Sequence, residues 1–131
     1  MERVVHDPWE WTKPLGFVQA VEVRGAERVL ECSGQVSFAP DGTTLHPDDM
    51  GGQLAVCLDN LETVLGEAGM TLGAIAKMTT FVTDMDAYFE HRGVVRERMA
   101  AAGAVHTHTL IGVAALARPD VVVEIDAVAY A

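Results

Sequence analysis

The residues best suited by type and spacing to do chemistry lie near the end of the chain. In the run VVVEIDAVA (121–129), Val123, Ile125, Ala127 and Ala129 share one face of an extended strand; Val122, Glu124, Asp126 and Val128 share the other. An acid in mid-strand among valines costs free energy unless it is paired, solvated or used. Glu124 could serve as a general base or orient a water; the competing reading is an acid ion-paired to a neighbouring subunit. Asp126, nearer the strand end, reads first as a structural interface acid.

His106 and His108 are two apart in an extended segment and so share a face. With Glu124 they would make a two-histidine, one-carboxylate metal set. His-x-His is common by chance, so no metal is expected. A hydrogen-bonding or proton-exchanging His108 is favoured over a ligand, and an interface histidine is the simplest reading of the residues alone. Ser33-Gly34-Gln35 closes a strand. Gly34 would let a ligand approach the backbone, whose N–H groups could hold a carboxylate; a glycine bulge explains the same residues. Ser33 sits in no nucleophile elbow, and no glycine-rich phosphate loop follows a strand. Arg92, near Glu90 and Glu97, reads as a solvated member of surface ion pairs. Trp9 and Trp11 flank Glu10, as packing for an N-terminal arm or as a ligand lid.

The elements that must position these residues follow from periodicity. Residues 17–23 and 28–37 read as strands around a turn at Arg24-Gly25-Ala26, and Ala39-Pro40-Asp41-Gly42 marks another turn. Pro47-Asp48-Asp49 offers N-cap chemistry. After it, Leu54, Cys57, Leu58, Leu61, Val64, Leu65 and Ala68 form one helical apolar stripe that stops at Gly69. Residues 74–83 read as a strand, 87–102 as a helix capped by Asp84 or Asp86 and closed by Gly103, and 107–115 and 121–130 as strands. The order β-β-α-β-α-β-β, with two crossovers placing helices on one face, predicts an α+β sandwich. Its other sheet face would carry Phe81, Leu110, Val122 and Val128, too apolar for water alone, and so predicts association through that face.

At 131 residues with half of them hydrophobic, the chain is long enough for one globular domain, 1–131, with 1–13 as an N-terminal arm. No apolar run approaches the roughly 20 residues of a membrane helix, and MERVVHDPWEW lacks the pattern of a signal peptide. A cytoplasmic location without membrane partners is expected. The formal net charge of −10 disfavours nucleic acid as a partner. Cys32 and Cys57 read as small buried apolar residues in a reducing compartment.

Five segments together resemble one family: residues 14–19 (PLGFVQ), 33–36 (SGQV), Gln53 with 58–61 (LDNL), 77–85 (KMTTFVTDM) and 119–127 (PDVVVEIDA). Their order and spacing are similar to those of the Rid (reactive intermediate deaminase) or YjgF-like family, formerly described as L-PSP endoribonucleases. The resemblance runs from about Pro14 to the C-terminus. It implies a chorismate-mutase-like fold and a homotrimer whose sheets line a central barrel, with ligand clefts between subunits. It also implies hydrolysis of small enamines or imines, such as 2-aminoacrylate, to a keto acid and ammonia without a cofactor.

Carried over by position, the water-orienting glutamate falls on Glu124. Substrate contacts fall on Ser33 and Gly34, and the aromatic cleft wall on Phe17, where the family usually has tyrosine. The family's Pro-x-Arg-Ser motif falls on His106-Thr107-His108-Thr109, so His108 stands at the position of the carboxylate-gripping arginine. Arginine gives a permanent two-pronged charge and histidine does not. The resemblance therefore implies a small-molecule substrate other than 2-aminoacrylate, or a non-catalytic binding or regulatory trimer. Arg92 falls where the family often has asparagine near the cleft and could supply a relocated cation.

Overall fold

The alternating last strand and the striped helix form the centre of the molecule. The computed structural model describes residues 1–131. Its strands are β1 (Glu2–His6), β2 (Ala20–Arg24), β3 (Val29–Val36), β4 (Ile75–Val82), β5 (Thr107–Gly112) and β6 (Val123–Tyr130). The helices are α1 (Met50–Glu67), α2 (Met85–His91) and α3 (Gly93–Ala101). The main sheet has the order β3-β6-β4-β5: β6 runs antiparallel to β3 and β4, and β4 parallel to β5. Parallel β4 and β5 require a crossover, and α2 and α3 supply it.

The apolar stripe of α1 meets the inner face of β6. Leu54, Cys57, Leu58, Leu61 and Leu65 are fully buried, as are Val123, Ile125, Ala127 and Ala129. Asp49 caps α1 by accepting a hydrogen bond from the Gly52 N–H at 3.1 Å, satisfying one of the orphan donors of the first turn. Cys32 and Cys57 are free and buried. Burial, with the negative charge of Glu124 adding to it, pushes the Cys57 thiol up to about 12, so it stays protonated as a core residue.

Three segments differ from the sequence expectation. The N-terminal arm contains a strand: β1 pairs with β2 as an antiparallel two-stranded sheet. Its Arg3 donates to the carbonyls of Gly73, Ala74, Ile75 and Val105, tying that sheet to the entrances of β4 and β5. The expected strand at 17–23 begins only at Ala20, leaving Phe17 in the connection. The expected single helix over 87–102 is two helices joined at Arg92, ahead of Gly93, whose backbone freedom weakens helix continuity. Its cap is Asp84, which accepts from the Ala87 N–H at 3.0 Å.

Helices cover one face of the main sheet. Met78, Thr80 and Val82 of β4 point towards them and are fully buried. On the other face Thr79 pairs with Asp126, and Phe81 with Glu124 and Ile111. Phe81 and Val128 lie on this uncovered face, as expected. Leu110 does not: it pairs with buried Thr80 and so points to the helix side. No helix is long and apolar enough to cross a membrane.

Candidate functional site

The sequence-derived site residues fall into two groups. The first surrounds a pocket of about 230 Å³ on the helix side of edge strand β5, lined by Phe17, Arg92 and His108 among others. The connection from the 3-10 helix Glu10–Leu15 into β2 carries Phe17 across the pocket, where its ring meets the His108 imidazole edge-on, centroids 5.6 Å apart. His108 is held from behind by Thr80, whose Oγ1 lies 2.7 Å from Nε2. Burial first, and His106 second, lower the His108 pKa to about 4. The ring is therefore neutral at pH 7 and offers a hydrogen bond rather than a charge. No acid supports its cation, because Glu124 is on the other face of the sheet.

The second group lies on that uncovered face. The pairing of β3 with β6 shifts register between Cys32 and Gln35, so Ser33 and Gly34 form a bulge. The bulge reading of Gly34 holds, and what lies directly on its backbone is the Glu124 side chain. A Cβ at position 34 would be 2.7 Å from the Glu124 Cδ and 2.8 Å from its Cγ. The Glu124 side chain makes no hydrogen bond, and no cation lies within 4 Å of it. Ser33 is exposed beside it. His106, His108 and Glu124 do not converge, and no group of three or more His, Cys, Asp or Glu side chains is placed to hold a metal ion.

Sequence reasoning missed Arg96 and underrated His106. Arg96 lies one helical turn beyond Arg92, with its N–H donating to the Arg92 carbonyl, and both line the pocket. The four-residue spacing was the available signal. His106 is only 3% exposed, lines the same pocket, and has a buried Nδ1 without a partner; burial lowers its pKa too. Gln53 is a positioning residue. Fully buried on α1, it donates to the carbonyls of His46 and Asp120 and accepts from the Val122 N–H, fixing the entry to β6 two residues before Glu124.

Trp9 and Trp11 stack with centroids 6.1 Å apart and remain half or more exposed. Neither lines the pocket, although Leu15 and Gly16 at the end of the same 3-10 helix do.

Comparison with known proteins places the fold. A family described as endoribonuclease L-PSP matches residues 12–131. TdcF of Escherichia coli, which carries the provisional name reactive intermediate deaminase, is 31% identical over 114 residues, 86% of this chain and 84% of TdcF. Its crystal structure with bound serine superposes with a TM-score of 0.71, covering 88% of this chain and 87% of that one. The structure of YyfB from Yersinia pestis, a Rid protein described as of unknown function, is 31% identical, with a TM-score of 0.86 over 100% of both chains. Mmf1 of Schizosaccharomyces pombe, named as mitochondrial, is 32% identical over 113 residues, 86% of this chain and 67% of its own length. With the family match spanning nearly the whole chain and a shared α+β fold, the protein belongs to the Rid, or YjgF/L-PSP, family.

Proposed function

We propose that the protein is a homotrimeric hydrolase that deaminates a small imine or enamine at clefts between its protomers. The observation that carries this reading is Glu124. It is a partly buried acid on the sheet face that helices leave uncovered, seated on Gly34 and free of any ion pair or hydrogen bond. Packing of three sheets around an axis would cover that face and bring Glu124, Ser33 and Gly34 of one protomer to the pocket of the next, which carries Phe17, His108 and Arg92.

In this cleft Glu124 orients a water and takes its proton as the oxygen bonds to the iminium carbon. The resulting carbinolamine expels its nitrogen, so an iminium ion and water become a carbonyl compound and ammonium. An enamine is first protonated on carbon to reach the same iminium. Neutral His108 hydrogen-bonds the substrate through Nδ1, since Nε2 is engaged with Thr80. Ser33 and Gly34 position the substrate, and Phe17 forms an apolar wall. The proton that Glu124 takes from water returns to the carbinolamine nitrogen as it leaves, and the proton that an enamine needs on carbon comes from solvent. TdcF binds serine in its crystal, a precedent within the family for a small amino-acid-like ligand.

The test is release of ammonia and keto acid from imines generated in situ by an amino-acid oxidase. The parent accelerates release and Glu124→Gln does not; equal rates for every imine would overturn the reading. One observation favours a second reading, a non-catalytic binding trimer: a neutral His108 stands where the resemblance implies a charged arginine. A ligand that raises the melting temperature without turnover would select it.

A further inference from the structure

The pocket beside β5 holds a pair of cations that have no polar partner within their own chain. Of the chain's seven arginines, Arg3, Arg28 and Arg118 donate to backbone carbonyls. Arg24 pairs with Glu2 and Glu22, and Arg98 with Asp59 and Glu62. Arg92 and Arg96 are the two without a polar partner, and both line this pocket. In a chain of net charge −10, two adjacent arginines free of any carboxylate are unusual.

Both are held towards the opening. The Arg92 guanidinium lies over the Phe89 ring, 5.4 Å from its centroid. Gly16, at φ +81, lies against the Arg96 stem, where a Cβ would be 3.0 Å from the Arg96 Cγ. Below them the wall is apolar, with Leu15, Phe17, Val95, Met99 and Leu110. The buried polar groups that line the pocket are the two imidazoles and the Tyr88 hydroxyl; burial keeps the imidazoles neutral and raises the Tyr88 pKa, so none of the three is charged at pH 7. The cavity therefore pairs a cationic rim with an uncharged, largely apolar interior. About 230 Å³ is below the several hundred Å³ typical of drug-sized ligands and suits a metabolite.

We infer that Arg92 and Arg96 form a carboxylate clamp, and that the ligand is a 2-imino or 2-oxo acid with a branched-aliphatic or aromatic side chain lodged between Phe17, Met99 and Leu110. This rests on the proposed site and specifies its substrate class. A three-carbon acid would leave the apolar wall uncovered. A charged or strongly polar side chain would be stripped of water there without a partner.

The experiment is calorimetric titration of the intact protein with 4-methyl-2-oxopentanoate, phenylpyruvate and pyruvate, and with 4-methylpentanamide as an uncharged control. At least one hydrophobic acid binds tenfold or more tighter than pyruvate, and the amide binds weakly. Arg92→Gln and Arg96→Gln each weaken the hydrophobic acids about tenfold and together about a hundredfold, with unchanged melting temperatures because both side chains are exposed. Equal affinity for pyruvate, unchanged affinity in the double variant, or no binding of either hydrophobic acid would overturn the inference. Clamp-dependent binding with no imine turnover would leave it standing and end the deaminase reading. Turnover that survives in the double variant would do the reverse.

Discussion

Glu124 and His108 point to opposite faces of one sheet, two strands apart. Glu124 pairs with Phe81 on the uncovered face; His108 pairs with Met78, which is buried beneath the helices. Two strand spacings amount to about 10 Å, and the sheet itself lies between the side chains. The two cannot act on one substrate within one protomer.

Subunit complementation follows from this separation. Glu124→Ala and His108→Phe are each expected to be inactive as pure proteins. Trimers mixed by co-expression would regain about one intact cleft in four if, as proposed, each cleft draws its acid and its imidazole from different chains. Measured turnover in the purified mixture, against each variant alone, checks this. Absence of recovery would place both groups in separate sites.

Acid should weaken the fold through His108. Its folded pKa of about 4 lies below the ordinary value near 6.5, so the unfolded chain binds the proton more readily. Stability is then full above about pH 6.5 and is lost as pH falls towards 4. His108→Gln removes this titration while keeping a partner for Thr80. The parent's stability relative to the variant should drop by about 2–3 kcal/mol between pH 7 and pH 4. Urea unfolding at both pH values measures it, and a pH-independent difference would refute a buried neutral imidazole.

Gly34→Ala should collide with Glu124 rather than with the backbone. A Cβ 2.7 Å from the carboxylate carbon forces the side chain aside at a cost of about 1–3 kcal/mol. Adding Glu124→Ala should restore part of that stability, giving a coupling above about 0.5 kcal/mol in a double-mutant cycle. Strictly additive effects would mean that the contact does not exist in solution.

Gln53→Leu should be among the more damaging core changes despite its similar volume. It leaves the Val122 N–H without a partner and takes one of two donors from the carbonyls of His46 and Asp120, which keep the Asp49 and Asp48 N–H groups. A loss of about 2–4 kcal/mol is expected, with faster amide exchange at Val122. A loss under about 0.5 kcal/mol, the range of ordinary surface substitutions, would show that water replaces the amide.

The faces of single elements were legible in the sequence. The stripe from Leu54 to Leu65 and the alternation from Val123 to Ala129 marked their buried sides, because helix and strand periods project directly onto burial. Asp49 and Asp84 announced their helices through cap chemistry. The family could be recognised from the same linear order.

What joins elements was not legible. β1 went unread because five residues with two valines become a strand only by pairing with β2. Spacing puts Arg92 and Arg96 on one helix face, but that this face meets a pocket also lined by His108 and Leu110 depends on how the elements pack. Above all, each strand's alternation shows that it has two faces. Which face of β5 matches which face of β6 is set by hydrogen-bond register through β4, a relation among distant residues. That register put His108 under the helices and Glu124 in the open, on opposite faces of one sheet.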